Sequence, residues 1–333
     1  MTAQAEAGRE DRINLQRQHL DEMFQIADRI GDPELSLQAH HSAWSAQLWL
    51  GEFVRSEDHI RQGLAVYDLD KHRHHALLYG GHDPGVCGMG HDAVARWLLG
   101  YPDRAAQRAR ECIVLGEALG HAPSLGHSLW FAGVLHNLRR DVEAARDCGE
   151  RLLTLGREHG LRQYQAVGGV IHGWALIHGR HADQALPELR SAVARYGAGG
   201  KTMLSLYRTV LAEAELRAGN ADAAAAVLVS AEEIGQRWSQ ADFLRLRGEL
   251  QRSEFVRDRS AAEQSYREAI ALAQEQSAKS WELRAATSLA GLWREMGRRD
   301  AARELLAPVY AWFTEGFDTP DLIDAKALLE ELT

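Results

Sequence analysis

The chain has 333 residues, 45% of them apolar and 26% charged, with 38 basic and 47 acidic side chains and a net charge of −9. One compact core usually stops growing at ~250–300 residues, so two domains or one elongated repeat array are the options. The composition argues against long disordered tracts, and the acidic balance offers no uniform basic field for nucleic-acid phosphates.

The opening MTAQAEAGREDR lacks the apolar stretch of a signal peptide, and no apolar run approaches the ~20 residues of a membrane helix. Cys87, Cys112 and Cys148 are too few and too scattered for a disulfide framework. A cytoplasmic protein without membrane or nucleic-acid partners is expected.

From there on, apolar residues recur at helical spacing, as in Ala95, Leu98 and Leu99, and strand alternation is not evident. The expectation is an all-α chain. A short turn of the form apolar-x-Gly-x-x-x-x-Ala punctuates it at Gly51, Gly100, Arg140, Arg180, Gly219, more weakly near Ser260, and at Gly297. Successive spacings are 49, 40, 40, 39, 41 and 37 residues. A helix–turn–helix unit repeating every 40 residues or so predicts a tetratricopeptide-type α-solenoid, a right-handed superhelix of about seven helical hairpins. Glycine at the turn suits the left-handed position that ends a helix, and Arg140 and Arg180 should sit there under slightly more strain. Ala105, Ala185, Ala224 and Ala302 keep the second helix of each pair thin. YGAGGK (196–201) reads as a loop between helices. The whole of 1–333 is expected to form one solenoid domain, with a helix at 321–332 capping its end.

The first interval is the irregular one. Its excess of about nine residues falls in LDKHRHHALLYGGHDPGVC (69–87), within a lengthened repeat at 69–91 that holds His72, His74, His75, His82 and His91. Insertions in repeat proteins tend to lie on one face, often the binding face. In HDPG, Asp83 suits an N-cap and Pro84 a first helical residue, so a helix is predicted from Pro84 to Leu99, with Gly80 and Gly81 forming the bend before it. His75, Tyr79 and His82 would share a face if that stretch were one helix. The start at Pro84 also favours an anionic group.

In tetratricopeptide arrays the first helix of each pair lines the concave groove. Counting thirteen and ten residues back from the turns places Gln38 and His41, Cys87 and Gly90, His127 and Trp130, Val167 and Val170, and Arg284 and Thr287 toward it. The candidate site for a partner protein, peptide or small anionic ligand is therefore His41, Trp44, His75, Tyr79, His82, Asp83, Cys87, His127 and Trp130. No catalytic residue, cofactor or metal ligand is assigned, because neither CxxC nor HExxH spacing occurs. The alternative is an enzyme or metal-dependent protein with a His/Asp/Cys site around residues 72–91. Convergence of His82, Asp83 and Cys87 on one enclosed cavity would favour it.

Three strings carry a resemblance: LLYGGHDPGVCGMGHDAVARWLLGYPDRA, HAPSLGHSLWFAGVLHNLRRD, and the block from Ala278 to Leu332 that contains WFTEGFDTPDL. They resemble the C-terminal repeat region of large bacterial signalling proteins that carry an AAA- or STAND-type ATPase module, often behind a class III adenylate/guanylate cyclase domain. The resemblance runs from about His40 onward and implies a sensing or binding arm. The chain has no GxxxxGK[ST] string, no cyclase domain and no basic helix-turn-helix segment, so ATPase and cyclase activities do not transfer to it.

Overall fold

Alanine-rich helices with large side chains on one face must bury that face against a neighbour, and short glycine-marked turns leave the next helix as the nearest one. The computed structural model describes residues 3–179, 182–200, 202–234 and 236–333. A long helix, α1 (Ala3–Ile30), packs on α2 (Pro33–Leu50), which pairs with α3 (Phe53–Val66). Two one-turn helices follow, α4 (Leu69–His72) and α5 (His75–Leu78). The pairs α6 (Pro84–Leu98) with α7 (Pro102–Ala118), α8 (Ala122–Leu138) with α9 (Val142–Glu158), and α10 (Arg162–His178) with α11 (Ala182–Gly199) come next. They are succeeded by α12 (Leu204–Arg217) with α13 (Ala221–Ile234), α14 (Gln240–Arg252) with α15 (Arg259–Glu275), and α16 (Lys279–Glu295) with α17 (Arg299–Ala311), before α18 (Pro320–Glu331). Among the described residues this makes seven helical hairpins of an all-α, tetratricopeptide-type solenoid.

The turns follow the periodic signal closely. Gly51, Gly100, Gly219 and Gly297 all have positive φ, and so does Arg140 at φ 60, in the strained position expected of it. Arg180 lies outside the described residues. The weak turn near Ser260 is misplaced by three residues: the left-handed residue is Arg257, at φ 54, and Ser260 lies in the first turn of α15 behind the Asp258 cap. YGAGGK is mostly not a loop. Helix α11 continues through Gly199, because Tyr196 is buried and its carbonyl accepts a hydrogen bond from Gly200 N. Lys201 lies outside the described residues. The lengthened repeat is accounted for by α4, α5 and the bend at Gly80 and Gly81, where φ is 72 and 74.

The last repeat returns to the second and third. The rings of Trp97 on α6 and Trp281 on α16 meet edge to face at 4.8 Å, and the Arg284 guanidinium lies 5.0 Å from one and 5.2 Å from the other. Arg284 also donates to the carbonyl of Leu138 and, at 2.8 Å, to Asp321 of α18. Arg140 pairs with Asp324 at 2.6 Å, and Glu315 accepts from the backbone N–H groups at the start of α7, Asp103 and Arg104, both at 3.0 Å. Gly100 is obligatory here for two reasons. Its φ is 94, and a Cβ would stand 2.4 Å from Trp312. Helix α18, expected as an end cap at 321–332, therefore ties the end of the array back to its third repeat.

Ala224 and Ala302 are fully buried where paired helices cross. Ala302→Phe should lower stability by ~1–3 kcal/mol, read as a fall in the thermal unfolding midpoint. Proteolytic cleavage near Gly200 should leave both pieces associated on size exclusion, since the closure contacts join residues 97–140 to 280–324. Separation into two stable halves would contradict this arrangement.

Candidate functional site

Three first helices, α2, α6 and α8, bring their histidines to one place. His41 comes from α2, His82 from the bend before α6, Cys87 and His91 from successive turns of α6, and His127 from α8. Donor atoms of His41, His82 and Cys87 lie within 4.8 Å of one another, and so do those of Cys87, His91 and His127. The His82 and His127 rings stack at 3.9 Å with 6° between their planes, and His41 meets His82 edge-on at 5.5 Å. Cys87 Sγ is 3.5 Å from His91 Nδ1.

Hydrogen bonds set the tautomers. His91 Nδ1 sits 2.9 Å from the carbonyl of Cys87 and must donate to it, which leaves Nε2 as a lone pair. His41 Nδ1 lies 3.1 Å from Gln38 Oε1 and donates in the same way. Gln38 Nε2 then donates to His75 Nδ1 at 2.7 Å, and His75 Nε2 donates to Glu34 at 3.0 Å. His75, expected at the ligand surface, is thus fully buried with both nitrogens engaged, as the middle of a Glu34–His75–Gln38–His41 relay. The Nε2 atoms of His82, His91 and His127 are buried without a hydrogen-bond partner. Burial, more than the neighbouring imidazoles, depresses all four cluster histidines, His41 and His91 to about 3 and His82 to about 4, with His127 well below the ordinary range. Burial likewise pushes the Cys87 thiol up to about 12.

Other candidates stand elsewhere. Asp83 caps α6 as expected, accepting from Val86 N at 2.9 Å, but its carboxylate is buried beneath Tyr67, whose hydroxyl donates to both oxygens. The start of α6 is therefore filled by Asp83 itself and leaves no open seat for an anionic ligand. Asp83 does not join His82 and Cys87, so a Cys–His–Asp nucleophile is not assembled there. Trp44 is core, stacked on His41 at 5.1 Å, rather than groove wall. Trp130 is also core, donating from Nε1 to Tyr207 Oη at 2.7 Å. Tyr79 is half-buried beside His75, at the edge of a cavity of about 470 Å³ that reaches His41 and Ser45. The N-terminal groove positions are thus packed shut, apart from His41 and His82.

Two further residues of the groove count stand at the other end. Arg284 and Thr287 line a cavity of about 230 Å³ enclosed by first helices of the later repeats and by α18. Its charged lining is balanced: Arg140, Arg217, Arg245 and Arg284 face Glu213, Asp242, Asp321 and Asp324. Arg245 pairs with Asp242 at 2.7 Å, and His178 donates to the carbonyl of Trp174. Sequence reasoning passed over most of these residues. They come from helices far apart in the chain, Glu213 and Arg217 from α12, Asp242 and Arg245 from α14, and Asp321 and Asp324 from α18, and the 40-residue register, applied past the first three repeats, would have gathered those on first helices.

No protein-family model matches the chain. It is 29% identical over 195 residues to an uncharacterized protein of Rhizobium meliloti (strain 1021), a match covering 59% of this chain and 18% of that protein. The chain thus spans about a fifth of the length of the curated relative it matches. Among solved structures it is similar to the apo form of RapI (TM-score 0.52, 12% identity, 84% of this chain and 93% of that one). It is also similar to a chain of the APC/C hetero-tetramer Cut9–Hcn1 (TM-score 0.58, 15% identity, 95% and 58%). A tetratricopeptide repeat protein from Parabacteroides merdae aligns over 82% of this chain at 12% identity with a TM-score of 0.43. The first two show a shared fold. This is a tetratricopeptide-type solenoid. Among the described residues, no helix is long and apolar enough to cross a membrane.

The depressed histidines have a consequence for stability. Above pH ~6.5 they are neutral in both folded and unfolded chain and contribute nothing. As pH falls from ~6.5 to ~4 the unfolded chain takes up protons that the folded cluster refuses, at up to ~1.4 kcal/mol per pH unit for each histidine. The chelator-treated protein should show a steadily falling unfolding midpoint over that window. A flat profile would mean that the imidazoles are open to water.

Proposed function

We propose that this chain is a non-enzymatic binding arm that holds a partner protein through a polar peptide segment seated in the cavity of the later repeats, with residues 1–333 acting as one unit. The observation that carries this reading is the charge-balanced cavity itself. Its walls come from the first helices of successive repeats, the surface by which arrays of this kind present side chains inward. Four guanidiniums and four carboxylates suit a segment bearing both signs, or a peptide backbone with its paired donors and acceptors, better than a purely anionic small molecule. A tetratricopeptide fold supports a role in protein interaction. A setting in bacterial signalling, as the arm of an ATPase–cyclase type protein, rests on the sequence resemblance and on a relative several times longer than this chain.

The test is selection of displayed peptides on the immobilised full chain and on Thr287→Trp, which fills the cavity, after circular dichroism shows both are folded. Peptides recovered on the wild type should bind at least tenfold more weakly to the variant. Equal binding to both would move recognition off this cavity.

A further inference from the structure

We infer that His41, His82, Cys87, His91 and His127 form a metal centre that takes a thiolate- and imidazole-preferring transition metal of the zinc class. The inference is independent of the peptide cavity and uses none of its residues.

A buried polar atom without a partner is costly, and native proteins leave few of them. Here three imidazole Nε2 atoms in one cluster have none, and His91 and His127 are both more than nine-tenths buried. For His91 the Nδ1 bond to the Cys87 carbonyl shows that the orphaned atom is a lone pair and not an N–H. A lone pair so placed needs a donor or a cation, and among the described residues no protein group supplies a donor. The cluster also holds a thiol rather than a carboxylate, which favours ions that accept sulfur and nitrogen over magnesium or calcium.

The surroundings resemble a ligand support. A metal-bound histidine normally donates its other N–H to a carbonyl or to a chain ending in a carboxylate, which fixes its ring. His91 does the first through Cys87 O, and His41 does the second through Gln38, His75 and Glu34. A third group of possible ligands, Glu34, His72 and His75, does not qualify, because both nitrogens of His75 are already used and His72 Nδ1 accepts from Asp68 N.

Ring geometry limits the stoichiometry. An ion lies in the plane of each imidazole it binds, and the stacked His82 and His127 planes cannot share one. Cys87 is the donor common to both triads, so His41, His82 and Cys87 form one candidate set and Cys87, His91 and His127 the other. One ion uses one set, and two ions share the sulfur. Donor atoms around a tetrahedral zinc stand about 3.5 Å apart, and one ligand atom from each member of either set already lies within 4.8 Å of the others, so binding draws the side chains closer and turns each ring to present its free nitrogen. Cys87 would release its proton to solvent as the sulfur–metal bond forms. The cavity at His41, Ser42 and Ser45 offers an entry path.

The experiment uses the untagged full chain. After chelator treatment and dialysis, cobalt(II) is titrated as a spectroscopic probe and zinc is followed by the shift in unfolding temperature. The expected result is a sulfur-to-cobalt charge-transfer band with tetrahedral ligand-field absorption, saturating at one or two equivalents and displaced by zinc. Cys87→Ser should abolish the charge-transfer band. His41→Gln and His127→Gln should each be compared with wild type, and at least one should weaken binding tenfold or more, which also tells the two sets apart. His159→Gln, on an exposed position, serves as control and should bind as wild type does. Should Cys87→Ser not fold, the wild-type band and its loss on alkylating the thiol in the metal-free protein stand in for it. Absence of any cobalt spectrum or zinc-dependent stabilisation of the wild type at about tenfold molar excess would overturn the inference. A spectrum unchanged in Cys87→Ser and in both histidine variants would overturn it equally.

Discussion

The contact on which the molecule depends is the meeting of Trp97, Trp281 and Arg284. In an open solenoid each repeat touches only its neighbours, and curvature is the sum of small, soft rotations between them. Here two indoles from the second and seventh hairpins close edge to face, and a guanidinium covers both. Removing a buried tryptophan typically costs ~3–5 kcal/mol, a large share of a domain's net stability. Closure therefore fixes the curvature that neighbour contacts alone would leave adjustable. Arg284 also reaches Asp321 and the Leu138 carbonyl, so the same side chain sets the width of the interior cavity.

The closed array carries two polar places of different chemistry. The cavity of the later repeats is built from charges of both signs that neutralise one another, with Asp242 and Asp321 shielded and Arg217 and Asp324 reaching solvent. The cluster between α2, α6 and α8 contains no ion pair. Burial keeps its imidazoles neutral and its sulfur protonated, so what it offers is a set of lone pairs. The first arrangement suits hydrogen-bonded recognition of a peptide. The second suits a cation that would satisfy atoms the protein leaves unpaired.

The lengthened second repeat explains why the cluster exists. Helices α4 and α5 carry His75 down onto Gln38, and the Gly80–Gly81 bend turns the chain sharply enough to place His82 over His127. A repeat of ordinary length would have had neither. Asp83 contributes indirectly: its capped helix start holds α6 in place, so that Cys87 and His91 face the same side one turn apart.

The sequence by itself determined most of the helices, the turns at Gly51, Gly100, Arg140, Gly219 and Gly297 and the irregular repeat, because these depend on local signals. Examples are glycine where φ is positive, alanine where helices cross, and an Asp-Pro start for α6. It also gathered most of the cluster, since Cys87 and His127 lie at equivalent positions of successive repeats, thirteen residues before the turn, and His41 at the other counted position, ten before its own. It could not decide which of those positions face an open groove and which are shut in the core. That depends on how closely neighbouring hairpins approach, and Trp44, Cys87, His127 and Trp130 proved to be buried. Nor could it foresee that the array closes. Trp97 and Trp281 are 184 residues apart and each reads locally as a core residue. Their meeting is a property of accumulated rotation over six repeats, which no local pattern encodes.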